Sequence, residues 1–376
     1  MRVIAPCRSA EPVAEPVRFD IIDISVVVPI YNRPLQLRRL LGALSRQDYP
    51  RERFEVLVCD DGSDENLADV VREAAAGGLQ VRYLRQGRRG PGAARNLGLA
   101  CGRGEIVAFT DSDCVPCASW LSAIVAAMAE PDTGLVGGRV GYEAAEQITG
   151  RCLNFLMSSS LGAAGARDPR CVVSMRYYPR TCNLAVRRDL AVAADGFPDA
   201  WHGEDLEFGH RVRQRGALVH FVKDAGVVHD ERRSWRQVFQ EAYLKGRARV
   251  RLDRCCGMHQ TVHALPAALV VYLVGLILTI VFWPAVVAVA SLPGVVYLIA
   301  LCALTLQGAW RLREVSATLL VPVLAFTIHV GYGLGYLTAR LGPGAGALAK
   351  QSVDWKALRA AGDSSRLARS DGGDPP

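Results

Sequence analysis

Two aspartates one residue apart, Asp111 and Asp113, follow the apolar run Glu105-Ile106-Val107-Ala108-Phe109. The run reads as a buried strand, so its exit delivers both carboxylates to a wet edge. Carboxylates this close repel unless a cation lies between them. The spacing suits a divalent ion, Mn²⁺ or Mg²⁺, with oxygen ligands and room for a phosphate. A plain polar turn explains the same spacing, since Asp and Ser are ordinary turn residues. A second acidic pair lies in Gly203-Glu204-Asp205-Leu206-Glu207. A helix from about Glu204 to Arg215, closed by Gly216, puts Glu204 and Asp205 in its first turn. There the helix dipole keeps a carboxylate ionised, as a general base must be, unless the acids serve the helix alone. The short run Gly226-Val227-Val228-His229 ends in an imidazole that can ligate a metal or simply pack.

The stretch Gly87-Arg88-Arg89-Gly90-Pro91-Gly92-Ala93-Ala94-Arg95-Asn96 is glycine-rich, basic, and runs into a helix. Its glycines do not fit the dinucleotide fingerprint, and it follows the third strand instead of the first. It reads either as a loop whose backbone and arginines approach an anion at a helix N-terminus, or as a solvated basic turn. Cys114 and Cys117 form a lone C-x-x-C with no second pair at metal-ligand spacing, and the eleven cysteines are scattered.

The elements that must position these groups alternate. Ile24-Ser25-Val26-Val27-Val28-Pro29 is a β-branched run ending at proline. Pro34 then opens a helix with Leu37, Leu40, Leu41 and Leu44 on one face. Phe54–Cys59 is a second strand, followed by Asp60-Asp61-Gly62-Ser63-Asp64, in which Ser63 or Asp64 is expected to cap the next helix. Val81–Leu84 is a short third strand, Leu121–Met128 a core helix, and Gly137–Gly141 a further strand. Residues 145–180 lack clear periodicity. Strands alternating with helices imply an α/β, doubly wound, mostly parallel sheet. In such sheets the ligand lies outside the carboxyl ends of the strands, where Tyr31, Asp60, Asp61, Asp111 and Asp113 all fall.

The second half of the chain has another character. No Lys, Arg, Asp or Glu occurs from Cys255 to Trp310, nor from Val315 to Ala339. The first tract exceeds one crossing of a hydrocarbon core of about 30 Å and must fold back. Spans are expected at about 264–283, 285–306 and 317–339, broken at Trp283-Pro284 and at the basic Arg311–Arg313. Three crossings would leave Arg340, Lys350, Lys356 and Arg359 outside, against the positive-inside rule, so one tract is expected to be re-entrant or interfacial. His329 is expected to pack against a neighbouring helix. Between Glu231 and Arg254 lie eight Lys or Arg and three acids, with Trp235, Phe239, Tyr243 and Leu244 interleaved. On a helix this is a basic amphipathic element, suited to the inner leaflet, to a lipid pyrophosphate, or merely to anchoring. Met1 to Asp20 has charges and three prolines but no export signal, so the front domain is expected to be cytoplasmic with reduced cysteines.

Taken together, Val26-Val27-Val28-Pro29-Ile30-Tyr31-Asn32, Cys59-Asp60-Asp61-Gly62-Ser63, Gly90-Pro91-Gly92-Ala93-Ala94-Arg95-Asn96-Leu97-Gly98, Asp111-Ser112-Asp113 and Gly203-Glu204-Asp205-Leu206 resemble glycosyltransferase family 2 over roughly residues 24–230. The resemblance implies a GT-A fold, a nucleotide-diphosphate sugar donor, UDP-linked by preference, and Mn²⁺ or Mg²⁺. It implies donor contacts from Pro29, Tyr31, Asp60, Asp61, Arg95, Asp111 and Ser112. Metal ligation is implied for Asp111, Asp113 and His229. Asp205 matches the general base, with Glu204 beside it, and the outcome is inversion. The Gln-x-x-Arg-Trp motif of processive synthases is missing where Ser234-Trp235-Arg236-Gln237 and Gly246-Arg247-Ala248-Arg249 stand, which favours single addition.

The expected organisation is a flexible tail at 1–22, a GT-A domain at 23–230, a basic interfacial segment at 231–262, about three transmembrane helices at 263–341 and a flexible tail at 342–376. The expected setting is the bacterial inner membrane, with the catalytic domain cytoplasmic. The acceptor is a hydroxyl of a lipid-linked or membrane-proximal glycan, membrane lipids are partners, and nucleic acid is not. A polyprenyl-phosphate glycosyltransferase and a non-catalytic nucleotide-sugar-binding scaffold are the alternatives.

Overall fold

The computed structural model describes residues 22–142, 148–159, 177–229, 234–342 and 353–367. Four parallel strands, β1 (Ile24–Ile30), β2 (Phe54–Asp60), β3 (Val81–Arg85) and β4 (Ile106–Phe109), stand in the order β3-β2-β1-β4. β1, β2 and β4 are buried along their whole length, because helices cover both faces of the sheet. Alternation divides their side chains between two cores. Val26, Val28, Val56 and Val58 meet helices α1 (Pro34–Leu44) and α2 (Ala68–Ala76) on one face. Val27, Leu57, Val107 and Phe109 meet α3 (Pro91–Cys101) on the other. Helix α3 lies so close that a Cβ on Gly98 would come within 2.3 Å of Val27 Cγ1, and no other residue type fits there.

The second half of the sheet is mixed, where the sequence suggests mostly parallel pairing. It comprises β5 (Cys114–Pro116), helix α4 (Trp120–Met128), β6 (Thr133–Tyr142), α5 (Ile148–Ser158), β7 (Leu184–Arg187), α6 (Arg188–Ala193), α7 (Glu204–Arg213) and β8 (Leu218–His229). β7 runs antiparallel to both β4 and β6, β8 parallel to β6, and β5 antiparallel to β8. β6 and β8 are longer than their apolar cores suggest, since register shifts at Thr133/Leu135 and Gly138/Val140 interrupt the alternation.

Helix α8 (Trp235–Cys256) opens with a reciprocal capping box between Ser234 and Gln237. Among the described residues, three helices after it are long and apolar enough to cross a membrane: Thr261–Phe282, whose α-helical part α9 is Leu265–Phe282, α10 (Leu292–Leu312) and α11 (Ala317–Leu341). α10 starts seven residues later than the expected 285, because Pro284–Val286 and Val287–Ala290 form separate short turns. His329 packs as expected, its Nδ1 2.9 Å from the Tyr297 hydroxyl.

Two expectations are corrected. Helix α2 begins at Ala68 without a side-chain cap, because Ser63 turns its amide and hydroxyl back to Asp60 Oδ1. The stretch 342–376 contains a helix, α12 (Trp355–Leu367), where only a loose tail is expected. Trp355 and Leu358 extend the core beneath α3, the Val353 amide donates to Asp195 Oδ1 at 3.0 Å, and Arg359 Nε donates to the Ala100 carbonyl at 3.2 Å. Residues 1–21 lie outside the described residues.

Candidate active site

The carboxyl ends of β1, β2 and β4 bring the candidate groups to one edge. Beyond β4 the chain turns through Asp111 and Asp113 into β5, and Cys114 pairs with His229 at the end of β8. This pairing closes a gap of more than a hundred residues. Asp113 Oδ1 lies 3.4 Å from His229 Nε2. Arg33, half-exposed just beyond β1, contacts the other oxygen of Asp113. A carboxylate and an imidazole side by side, already attracting a cation from the protein itself, fit a divalent ion of the Mn²⁺ or Mg²⁺ kind. Cys114 Sγ lies within reach of the same point. Its thiol pKa is held well above the usual range by the hydrogen bond with Cys182 and by burial, so it stays neutral. Cys114 therefore partners Cys182, while exposed Cys117 turns to the Asp224 carbonyl.

Asp111 faces another way. Its Oδ1 accepts from Arg95 Nη2 at 2.9 Å, and Arg95 Nη1 reaches Glu204 Oε1 at 3.2 Å. The Arg95 side chain is only 4 % exposed and lies over the Phe197 ring. Burial works against its charge, but Asp111 and Glu204 outweigh burial and hold it protonated. Glu204 responds in the opposite sense. Burial and the neighbouring Asp205 push its carboxyl up to about 7, against the pull of Arg95. Asp205 is half-buried, and its Oδ1 accepts the Leu206 amide at 2.8 Å in the first turn of α7. Gly203 precedes that turn at φ 76, a conformation that glycine adopts without strain.

The acids after β2 are not open to a ligand in the way their sequence suggests. Asp60 is fully buried, its oxygens taken by Ser63, the Tyr83 hydroxyl and, at 3.8 Å, Arg85. A direct donor contact from its side chain is excluded, because no surface of it reaches solvent. Asp61 accepts from the amides of Arg89 and Gly90, each at 2.8 Å, and from Gln86 Nε2 at 2.8 Å. It fastens the glycine-rich loop ahead of α3. Pro29 is buried inside β1 and Ser112 is 5 % exposed. Tyr31 stands at the rim with the Arg88 guanidinium 4.1 Å from its ring centre.

Two residues at this edge escape sequence reasoning. Arg33 carries no motif, and only the fold brings it across eighty residues to Asp113. Trp201 is 60 % exposed, and its indole flanks Gly90, where an added Cβ would be 3.5 Å away. An aromatic in the loop Gly196-Phe197-Pro198-Asp199-Ala200-Trp201, just before the acidic pair, is the signal that could have found it.

Residues 25–189 match Glycosyl transferase family 2, and the sheet with its helices has the GT-A fold. It is 29 % identical over 243 residues to the glycosyltransferase AglE of Haloferax volcanii, covering 61 % of this chain and 75 % of AglE. It is 32 % identical over 235 residues to the pre-mycofactocin glycosyltransferase of Mycobacterium tuberculosis, covering 60 % of this chain and 47 % of that protein. To the hyaluronan synthase of Pasteurella multocida it is 29 % identical, covering 56 % of this chain and 25 % of the synthase. The chain thus spans half or less of the length of the last two. Among solved structures, mannosyltransferase PcManGT from Pyrobaculum calidifontis, in complex with GDP-Man and Mn²⁺, superposes with a TM-score of 0.58 at 21 % identity, covering 87 % of this chain and 91 % of that one.

Proposed function

We propose that the protein is a membrane-anchored, metal-dependent, inverting glycosyltransferase. It moves a sugar from a nucleotide-diphosphate donor, UDP-linked by preference, to a hydroxyl of a lipid-linked or membrane-proximal acceptor in surface glycan assembly. The observation that carries this reading is the bridging of Asp111 and Glu204 by buried Arg95, with Asp113 and His229 at the same sheet edge. The Mn²⁺ and GDP-Man bound by the mannosyltransferase of like fold support the choice of donor class and ion.

In this reading Asp113 and His229 would hold the divalent ion, with Asp111 nearby, and the ion when bound would supply positive charge against the diphosphate. Arg95 and the Gly87–Gly90 loop add positive charge around the departing group, and Asp61 positions that loop. Tyr31 lies where a base can rest. Asp205 accepts the proton of the acceptor hydroxyl as its oxygen bonds to the anomeric carbon. The bond to the diphosphate oxygen breaks on the opposite face, and its electrons leave with the nucleoside diphosphate. Trp201, exposed beside Gly90, offers a flat surface for the acceptor.

One observation favours a phosphate-bearing lipid, as in the polyprenyl-phosphate alternative. Arg249 on α8 is 7 % exposed, donates to Gln260 Oε1 at 2.8 Å, and makes no ion pair among the described residues. Burial pulls its pKa below the ordinary value. A buried guanidinium without a carboxylate attracts an anion.

The test is nucleoside diphosphate release by detergent-solubilised protein with Mn²⁺, a panel of nucleotide sugars, and polyprenyl phosphate or bacterial lipid extract. Release from one donor, abolished by chelator and by Asp113→Ala, is the expected result. Donor binding without release under all conditions would favour the scaffold. The cell inner membrane, with this domain cytoplasmic, is the proposed location.

A further inference from the structure

The three apolar helices differ in their surroundings. Only 6 % of the most apolar window of Thr261–Phe282 and 11 % of that of α10 is buried within the protein, against 39 % for α11. Over its C-terminal half α11 packs on the start of α9, where a Cβ on Gly333 would come within 2.2 Å of the Pro266 carbonyl oxygen, and on α8, a helix carrying Arg236, Glu241, Lys245, Arg247, Arg249, Arg251, Asp253 and Arg254. The backbones of α8 and α11 touch. A Cβ on Gly246 of α8 would come within 2.1 Å of the Tyr332 carbonyl oxygen, and one on Gly335 of α11 within 1.9 Å of the Tyr243 carbonyl oxygen. The contact runs in one direction along both helices. Phe239 lies against Gly331 and Tyr243 against Gly335, and at the far end Arg254 Nη2 donates to the Arg340 carbonyl at 3.2 Å.

Both ends of α11 are fastened to polar groups outside the apolar tracts. Before its first residue, Glu314 pairs with Arg151 of α5, and Arg151 also donates to the Leu312 carbonyl at 2.9 Å. At its last turn Arg340 meets Asp253 of α8 at 3.4 Å. Helix α8 in turn is pinned to the active-site loop: Arg251 pairs with Glu207 and donates to the His202 carbonyl at 3.2 Å, while Ala248 and Leu252 stand 3.3 Å from where a Cβ on Gly203 would lie. The start of α11 is thus tied to α5, and its end, through Asp253 of α8 and the Arg251–Glu207 pair on the same helix, to α7, so both ends are held toward the catalytic side.

The chain beyond it agrees. Val353 and α12 rest on α3 and Asp195 of the catalytic half. Residues 342–353 would have to recross about 30 Å of hydrocarbon if α11 ended on the far side. As a helix they reach only about 18 Å, and an extended segment in lipid leaves its backbone unpaired.

We propose that α11 lies in the interface plane beside α8, and that, among the described residues, α9 and α10 with the turn at Pro284–Ser291 are the inserted elements. Leu319, Val323 and Phe326, exposed at i, i+4 and i+7, form the face that meets the acyl chains, and the arginines of α8 meet anionic headgroups. The loop Arg311–Ser316 and the tail then lie on the catalytic side, in accord with their Arg and Lys content. This inference rests on the proposed membrane anchoring.

The experiment uses the full chain with an epitope at the N-terminus, at the C-terminus, or between Arg313 and Glu314, in sealed vesicles probed by impermeant antibody. All three epitopes are expected on the same face. A C-terminal epitope opposite the N-terminal one means an odd number of crossings and overturns the proposal. An Arg313–Glu314 epitope on the opposite face means that α11 crosses, and overturns it as well. Should that insertion prevent folding, the terminal pair still decides the parity. Carbonate extraction separates the two readings: a protein that washes off the membrane refutes anchoring itself, whereas a retained protein with split epitopes refutes only the flat placement of α11.

Discussion

Arg95 Nη2 stands 2.9 Å from Asp111 Oδ1, and through this one contact the end of β4 is joined to α7, because the other terminal nitrogen holds Glu204. The donor-facing strand and the helix bearing the proposed base therefore share a single buried cation. Replacing it removes a charge from the leaving-group side and strands two acids. Arg95→Ala is expected to lower kcat by about 10²–10³ and stability by about 3–5 kcal/mol. Arg95→Lys should recover little, since an ammonium cannot span both carboxylates. Nucleoside diphosphate release and urea unfolding measure the two effects, and near-normal turnover by the Lys variant would refute the bridge.

Glu204 makes the site pH-sensitive. Its carboxyl is pushed up to about 7 by burial and by Asp205, above the value of about 4.3 in an unfolded chain. The folded protein keeps a proton that the unfolded chain has lost, so this group's contribution is full below about pH 4.3 and declines as pH rises to about 7. The profile of kcat/KM should carry an inflection near pH 7 that Glu204→Gln removes. Its persistence in the variant would assign it elsewhere.

Asp205→Asn preserves shape and the contact to the Leu206 amide while removing the proton acceptor. The rate should fall by about 10²–10⁴ with donor affinity unchanged by calorimetry. Equal losses in affinity and rate would point to a positioning role.

At the opposite end of the sheet Glu55 is wholly buried. It accepts from Ser25 Oγ at 2.9 Å, the Arg103 amide at 2.7 Å and Arg82 Nη1 at 3.1 Å. Burial opposes its charge, but these groups and the Arg103 guanidinium outweigh it and leave the pKa below normal. The stabilisation is present above about pH 4.3 and is lost as pH falls through the depressed folded value. Glu55→Ala should cost about 3–5 kcal/mol near neutrality and flatten the acid limb of the stability profile.

Trp355 fills a seat beside Gly196, where an added Cβ would lie 2.7 Å from its ring. Trp355→Ala should lower stability by about 1–2 kcal/mol, and should raise proteolysis of the tail after residue 342. A tail cut equally fast in both proteins would mean that α12 is not held.

The strand ends were legible because β1, β2 and β4 are covered on both faces, so each apolar run stops where the sheet stops and the next polar residues must face the ligand edge. Which acid faces which way was not. Asp60 and Asp61 are adjacent, and alternation sends the first to Ser63 and Tyr83 and the second to the loop, a division that composition cannot reveal. His229 was legible as a strand-end imidazole, while its meeting with Asp113 depends on the antiparallel pairing of β5 and β8. Arg33 was invisible because only the parallel pairing of β1 with β4 brings it beside Asp113. The three apolar tracts were legible from missing charge alone, but how each lies against lipid was not, because an apolar helix resting on a polar one and an apolar helix crossing lipid have the same composition. Helix α12 was overlooked because Trp355 and Leu358 are the large apolar residues of its first two turns, set among Lys356, Arg359, alanines and Gly362.

Gly98 sits one turn after Arg95, pressed against Val27 with no room for a side chain. The guanidinium is thereby mounted on the sheet itself, and it has no hinge. A charge fixed in advance needs no solvent-like reorientation when negative charge builds on the departing diphosphate. The adjustments needed to admit one sugar and reject another must then fall to the loops at 86–90 and 197–203, so donor preference can drift by changes there while the charged frame stays as it is.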